Sequence, residues 1–202
     1  MNPRAMPRSI LLALSAFAAT LLAACQPPAP AEPPPLEGAR IGGDFTLLGE
    51  DRSQVRWSDF DGQYRIVYFG YTWCPDVCPV DTQRLMQGLN AFAEEEPALA
   101  ERIQPLFITV DPERDTPEKL AEFTDAFHPR LIGLTGTDER LAAVRKDFGI
   151  EAYPGEPDDN GNYLVGHTNI AYLFGPDGEP LATLPHDLGP EAVADELAKW
   201  VA

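Results

Sequence analysis

The run RIVYF at residues 65–69 constrains the fold of this chain more than any other feature. Continuous apolar and β-prone residues of this length are typical of a strand that is buried on both faces. A second run of the same kind, PLFITV, occupies residues 105–110. Between them, apolar residues at spacings of four and three predict a helix over residues 79–95 with one apolar face, formed by Leu85, Leu89 and Phe92.

The rest of the chain continues to alternate between strand and helix patterns. Residues 44–48 and 54–57 predict an N-terminal β-hairpin, and Gly175-Pro176-Asp177-Gly178 predicts the turn of a second hairpin. Further strands are predicted at 131–134, 169–174 and 179–184, and further helices from 117 onward, at 138–148 and at 191–201. This order predicts an α/β fold with a mixed central sheet flanked by helices. The periodicity of the apolar residues does not distinguish a thioredoxin-like sheet from a flavodoxin-like sheet.

Residues 1–24 predict a signal peptide. Arg4 and Arg8 precede an apolar stretch that is too short to span a bilayer comfortably. The stretch ends in Leu-Ala-Ala-Cys, which resembles a bacterial lipobox, so we expect Cys25 to be lipidated and to begin the mature chain. An ordinary signal peptide or an uncleaved anchor is the alternative. We therefore expect an exported, lipid-anchored protein on the periplasmic side of a bacterial membrane, and the sequence leaves open which membrane holds it.

Residues 25–39 predict a linker after the lipidated cysteine. Six of the ten residues at 26–35 are proline, which favours an extended and semi-rigid spacer. The folded domain is then expected at 40–202. The formal net charge of −17 repels phosphate backbones, and we therefore expect no nucleic acid partner.

Cys74 and Cys78 lie four residues apart in the segment FGYTWCPDVCP. Pro79 suits the first position of a helix, so we expect Cys78 to be the N-cap and residues 74–77 to form a loop. Such a loop can close a disulfide or place both sulfurs around one soft ion. Zinc and iron–sulfur sites usually need four protein ligands, so two thiolates fit low-coordinate copper(I) best.

A single imidazole would complete a three-coordinate copper site, and the chain has three histidines. His128 follows a predicted helix, where an interaction with the helix C-terminus accounts for it. His186 precedes the last helix, where we expect a surface or capping role. His167 lies in YLVGHTNIAYLF at the start of a predicted strand pair, and the residues alone do not make it a ligand.

Three ordered segments, FGYTWCPDVCP, VDPERDTPE and YLVGHTNIAYLF, resemble those of the Sco/SenC family of thioredoxin-like copper chaperones. The resemblance covers roughly residues 43–201 and implies a thioredoxin-like fold. It implies that Cys74, Cys78 and His167 bind a copper ion. It also implies a partner, the copper-A-bearing subunit of cytochrome c oxidase or another copper protein.

The chain departs from the family pattern at two positions. Gly166 stands where family members often carry Asp, and Trp73 where they often carry His. A missing carboxylate near the ligand histidine removes a possible orienting charge, so we expect the copper affinity to deviate here. Asp111 matches an acidic residue of the D-P segment, and we expect it to cap the turn at Pro112.

The resemblance implies a metallochaperone that matures the binuclear copper centre of cytochrome c oxidase. The alternative is a thiol–disulfide reductase that keeps the copper-site cysteines of a target reduced, with Cys74 and Cys78 as its catalytic residues. The protein is an enzyme only if Cys74 and Cys78 cycle between two thiols and a disulfide. A thiol peroxidase needs an activating cation, and FGYTWCPDVCP has no Lys or Arg. The remaining alternative is that Cys74 and Cys78 form a disulfide with a purely structural role.

Overall fold

The computed structural model describes residues 32–202. The predictions for the signal peptide, for lipidation at Cys25 and for residues 25–31 of the linker lie outside the described residues. A compact unit begins at Pro34, six residues before the predicted start at residue 40. The amide of Leu36 donates to the carbonyl of Leu181 (3.0 Å) and its side chain packs on the core, which holds this segment on the domain.

Seven strands form one mixed sheet in the order β2-β1-β5-β4-β3-β8-β9. Its strands are β1 (Thr46–Gly49), β2 (Gln54–Arg56), β3 (Tyr64–Gly70), β4 (Ile103–Thr109), β5 (Ile132–Thr135), β8 (Ala171–Phe174) and β9 (Pro180–Leu184). The pairs β3–β4 and β4–β5 are parallel, and the other neighbours are antiparallel. Both predicted hairpins are therefore confirmed, and so is the mixed sheet.

Every residue of the central strand β3 is buried, as the run RIVYF predicts. The strand also contains a fully buried Arg65. Its guanidinium donates to the carbonyl of Gly175 (2.9 Å), pairs with Asp61 (3.0 Å) and lies over the ring of Trp57. These partners offset the cost of burying the charge.

Helices flank the sheet: α1 (Val77–Glu95), α2 (Pro97–Ala100), α3 (Pro117–Asp125), α4 (Asp138–Asp147) and α5 (Pro190–Trp200). The predicted apolar face of α1 is buried in the core, with Leu85, Leu89 and Phe92 each at most 3% exposed. The helix approaches α5 closely at Gly88, where a β-carbon would lie 2.5 Å from Cβ of Val193. The core thus lies between the sheet and the helices that cover it.

The first turn of α1 differs from the prediction. The helix begins at Val77 and its N-cap is Asp76, so the prediction that Cys78 is the N-cap is wrong. A proline disfavours helical backbone in the residue before it, but this is only a preference. Pro79 costs no hydrogen bond here, because the first four amides of a helix lack intrahelical partners. Cys78 therefore belongs to the helix and Cys74 to the loop before it.

A second, two-stranded antiparallel sheet lies outside the sequence prediction. It pairs β6 (Ala152–Pro154) with β7 (Val165–His167), and Ala152 lies opposite His167. The two strands are three residues each and contain a proline and a glycine, which hides the strand pattern. We call this sheet the β6–β7 ribbon. Across residues 32–202, the helices are too short or too polar to cross a bilayer.

Candidate metal centre

The cysteine loop follows the carboxyl end of β3 and is anchored to β4 through Asp115. The carboxylate of Asp115 accepts hydrogen bonds from the amide (3.0 Å) and hydroxyl (2.6 Å) of Thr72 and from the hydroxyl of Thr109 (2.6 Å). Burial raises the pKa of Asp115, and these hydrogen bonds oppose that rise. Asp115 therefore holds the start of the loop in place, immediately before Cys74.

The two cysteines of the loop have different environments. Both are free thiols in the part of the chain that the structure describes. Cys78 is fully buried, whereas Cys74 is partly exposed. The amide of Cys78 donates to Sγ of Cys74 (3.3 Å), so the first turn of α1 points a donor at that sulfur. The loop thus presents one accessible sulfur and one shielded sulfur.

The acidities of the two thiols are shifted in opposite directions. Burial raises the pKa of Cys74, but hydrogen bonds from the backbone of Cys78, Asp76 and Val77 outweigh it and leave that pKa below its usual value. Burial also raises the pKa of Cys78, and there it prevails. Donors at a helix N-terminus stabilise a thiolate, so Cys74 is the more readily ionised of the pair.

The imidazole of His167 reaches the cysteines from the end of the β6–β7 ribbon. Its Nε2 lies 3.4 Å from Sγ of Cys78, and its Nδ1 lies 3.0 Å from the carbonyl of Thr168. A carbonyl only accepts, so Nδ1 carries the proton and Nε2 presents a lone pair to the sulfur. Burial lowers the pKa of His167, which favours this neutral ring. The rings of Tyr68 and Tyr71 pack against it at near-perpendicular angles.

The structure therefore brings together the three residues that the sequence singled out: Cys74, Cys78 and His167. Two sulfurs and an unprotonated imidazole nitrogen form a soft donor set that suits copper(I). Across residues 32–202, no three His, Cys, Asp or Glu side chains are gathered tightly enough to make a ready-formed metal cage. The three side chains are therefore close to one another but are not pre-arranged around an ion.

The other two histidines lie elsewhere. His128 is buried beyond the end of α3, where its Nδ1 accepts the amide of Arg130 (3.1 Å). This contact agrees with a structural role. His186 was expected on the surface or at a cap, but it is only 5% exposed. It lies in a 3-10 turn, and its ring contacts Tyr68.

Sequence reasoning missed a cation beside the cysteine loop. The guanidinium of Arg114 lies over the ring of Tyr163 (3.7 Å) and 5.9 Å from the ring of Trp73. Arg114 also binds the carboxylate of Asp111 and the carbonyl of Tyr163. The loop sequence has no basic residue, but the fold supplies one from the segment VDPERDTPE.

Asp111 orders the turn that carries this arginine. Its backbone carbonyl accepts the amides of Arg114 (3.2 Å) and Asp115 (3.0 Å), and its carboxylate accepts the hydroxyl of Tyr163 (3.0 Å). Only 4% of Asp111 is exposed. The turn is thus closed by the backbone carbonyl of Asp111, whereas its carboxylate binds the side chains of Arg114 and Tyr163 and does not form the expected cap at Pro112.

Known proteins resemble the chain over almost the whole described region. The SCO1/SenC family model matches residues 33–202. The mitochondrial SCO2 homologue of Bos taurus is 46% identical over 145 residues, which cover 71% of this chain and 53% of that protein. The chain thus spans about half the length of the first mitochondrial relatives that it matches.

Solved structures show the same likeness. ScoI of Bradyrhizobium japonicum with copper bound is 32% identical, with a TM-score of 0.71 over 80% of this chain and 99% of that chain. The thioredoxin domain of a Bacteroides vulgatus thiol-disulfide oxidoreductase is 17% identical, with a TM-score of 0.56 over 80% and 96% of the two chains. This second likeness concerns the fold alone, and it confirms the predicted thioredoxin-like fold. With the family model matched across residues 33–202, the chain belongs to the SCO1/SenC family.

Proposed function

We propose that this protein is a membrane-anchored copper metallochaperone whose cargo is held by Cys74, Cys78 and His167. The observation that carries this proposal is the 3.4 Å contact between Sγ of Cys78 and Nε2 of His167, while the amide of Cys78 donates to Sγ of Cys74 (3.3 Å). The fold thus brings an imidazole from the β6–β7 ribbon to two cysteines that lie 89 or more residues earlier in the chain. Two thiolates and one imidazole are the ligand types of a three-coordinate soft-metal site.

The unequal exposure of the two sulfurs suits transfer of the ion rather than permanent storage. Cys74 is partly exposed and Cys78 is buried. An incoming ligand can therefore replace Cys74 while Cys78 and His167 still hold the ion. Stepwise ligand exchange of this kind never releases the ion to water.

The proposed recipient is the copper-A-bearing subunit of cytochrome c oxidase or another copper protein. Membership of the SCO1/SenC family and the likeness to a copper-bound ScoI support this proposal. The proposed location is the periplasmic side of a bacterial membrane. The lipobox-like sequence before Cys25 and the proline-rich stretch at 26–35 support it, because both are typical of a lipid anchor followed by a linker.

A thiol–disulfide reductase is the second candidate, and the same asymmetry favours it. An exposed cysteine that attacks and a shielded cysteine that resolves are typical of this chemistry. Cys74 would attack the disulfide of a target protein, and Cys78 would then displace the target's second thiolate. The target disulfide gains two electrons and becomes two thiols, while Cys74 and Cys78 become a disulfide. A dithiol reductant protein must then reduce this pair again.

One set of variants tests the proposed function and separates it from the alternative. We expect full-length protein purified without air to bind one copper(I) per chain. Cys74→Ser and Cys78→Ser should lose the ion, and His167→Ala should weaken binding, because each removes one donor atom. The measurements are metal content and competition with a copper(I) chelator.

The same variants are then assayed for reduction of a disulfide substrate. His167→Ala should leave this reduction largely intact if the chain is a separable reductase. Wild-type copper content in the double cysteine variant would rule out the chaperone proposal. Loss of both activities in His167→Ala would argue against a separate reductase role.

A further inference from the structure

Four polar side chains join the helix of Cys78 to the segment that follows His167. They are Tyr68 on β3, Asp81 on α1, Asn169 before β8 and His186 after β9, and we call them the polar cluster. Oδ2 of Asp81 accepts a hydrogen bond from Nδ2 of Asn169 (2.9 Å) and lies 3.3 Å from the hydroxyl of Tyr68. It also lies 3.5 Å from Nε2 of His186. The cluster thus connects four elements through one carboxylate.

The side chain of His186 contacts its neighbours through both ring nitrogens. Nδ1 lies 3.0 Å from the carbonyl of Leu184, and Nε2 lies 3.2 Å from Oδ1 of Asn169. Nε2 also lies 3.5 Å from Oδ2 of Asp81. The side-chain nitrogen of Asn169 donates to the same carboxylate. His186 therefore ties the end of β9 to both Asn169 and Asp81.

The cluster reaches His167 through the ring of Tyr68. This ring packs at near-perpendicular angles against His167 on one side (6.5 Å between centroids) and against His186 on the other (5.7 Å). The position of Tyr68 therefore fixes one wall of the space in which the His167 ring lies. Its hydroxyl, in turn, is held by Asp81 and Asn169.

The backbone after His167 is tied down by the same cluster. His167 belongs to the β6–β7 ribbon, which is separate from the seven-stranded sheet. Asn169, two residues further on, bonds to Asp81 on the helix that carries Cys78. This bond links the two elements whose ligands are Cys78 and His167.

Asp81 and His186 are only 4% and 5% exposed, and buried polar groups cost free energy unless they find partners. Their mutual contacts therefore fix the geometry of the cluster. Residues that orient a ligand histidine commonly change metal affinity 10- to 100-fold when altered. We propose that Asp81, Asn169 and His186 are positioning residues that hold the His167 ring against Cys78 and so set how tightly copper is bound. This inference rests on the proposed copper site.

Two variants test it in the full-length protein. His186→Asn keeps a donor for the carbonyl of Leu184 and loses the contacts that Nε2 makes with Asn169 and Asp81. Asn169→Ala alters an exposed residue, so folding is preserved while the link to Asp81 is cut. We expect both to raise the copper(I) dissociation constant about tenfold with an unchanged free-thiol count. The matched control is His128→Asn, a buried histidine outside the polar cluster, which should bind copper within about twofold of the wild type.

Nitrogen NMR of the imidazole rings gives a readout that does not need copper. In the copper-free wild type, we expect one protonated nitrogen, Nδ1, in His167. The His167 signals should move in His186→Asn and in Asn169→Ala but not in His128→Asn. Unmoved His167 signals, or wild-type copper affinity in both variants, would overturn the positioning role even if urea unfolding showed lower stability. If the wild type itself binds no copper, the proposed function fails, and the His167 signals alone decide the positioning role.

Discussion

Gly166 leaves room for an aromatic ring beside the proposed ligand histidine. A β-carbon at this position would lie 2.5 Å from Cε2 of Tyr153 and 2.8 Å from its Cζ. The two residues are also paired across the β6–β7 ribbon. The sequence indicated only that a carboxylate is missing at Gly166, but the structure shows that Tyr153 occupies the space. These two positions therefore constrain each other.

We predict that Gly166→Ala and Tyr153→Ala interact energetically. Gly166→Ala should lower the free energy of unfolding by about 1 kcal/mol, because the added methyl must displace the ring. In the Tyr153→Ala background the same change should cost less, with a coupling of about 0.5 kcal/mol or more. Urea unfolding of the wild type, both single variants and the double variant measures this coupling. Leu164→Ala, an exposed change in the same region, is the control, and its effect should add to that of Tyr153→Ala. If the effects of Gly166→Ala and Tyr153→Ala were also additive, the prediction would be refuted.

At this scale the sequence indicated the candidate ligands more clearly than the residues that surround them. Cys74 and Cys78 are close in sequence, so their spacing and Pro79 made the site visible. Tyr68, Asp81 and Arg114 reach the site through folding, and none of them stands out in a linear pattern. Arg114 could have been suspected, because it lies in a segment that carries the family resemblance.

Among the elements, the loop after β3 is positioned by a carboxylate that comes from the turn after β4. Asp115 is fully buried and holds three donors from Thr72 and Thr109. These bonds give buried polar groups of the loop and of β4 their hydrogen-bond partners. The conformation at the start of the cysteine loop therefore depends on a residue that lies 41 positions after Cys74 in the chain.

We predict that Asp115→Ala destabilises the protein by about 3 kcal/mol, since it leaves buried donors of Thr72 and Thr109 without partners. Asp115→Asn should cost less, because its side-chain oxygen still accepts. Chemical denaturation measures both changes. Asp125→Ala removes an exposed carboxylate and should stay within about 0.5 kcal/mol of the wild type. Equal stabilities of Asp115→Ala and the Asp125→Ala control would show that the loop is held in another way.

The elements that the sequence missed have a common cause. The β6–β7 ribbon consists of two short strands with Pro154 and Gly166, and both residue types are depleted in strands. The start of α1 moved to Val77 because a preference of Pro79 for the first helical position is weaker than the local hydrogen bonding. Long apolar patterns such as β3 and α1 were predicted correctly, because burial dominates their free energy.

For the molecule as a whole, one buried and one half-buried histidine predict lower stability in acid. Burial lowers the pKa of both His128 and His167. The unfolded chain then binds more protons than the native protein once the pH falls below about 6.5. The free energy of unfolding therefore rises with pH inside that window, and it falls as the pH is lowered through it.

We predict that His128→Asn makes this dependence shallower in copper-free protein. Asn can still accept the amide of Arg130, but it cannot take up a proton. The slope below pH 6.5 should decrease by at most about 1.4 kcal/mol per pH unit, with little change at pH 8. Urea unfolding between pH 5 and pH 8 measures it. An unchanged slope would mean that His128 titrates alike in the folded and unfolded chain.

The architecture of the whole domain followed from the sequence. Alternating strand and helix patterns gave the mixed sheet, and the resemblance added the choice of a thioredoxin-like fold. The order in which the strands pair could not be predicted from the sequence, because β1 pairs with β5 and β3 with β8 across long stretches of chain. Such contacts depend on the tertiary packing of the finished domain.

The 89-residue separation of Cys78 and His167 has a consequence for biogenesis. In the exported chain that we propose, translocation begins at the amino terminus, so both thiols enter an oxidising compartment well before the imidazole arrives. Cys78 is unshielded during that interval, and only the completed domain hides it. Cys74 and Cys78 are therefore most vulnerable to oxidation while the unfolded chain is still crossing the membrane. Folding of the domain then shields Cys78 from oxidants.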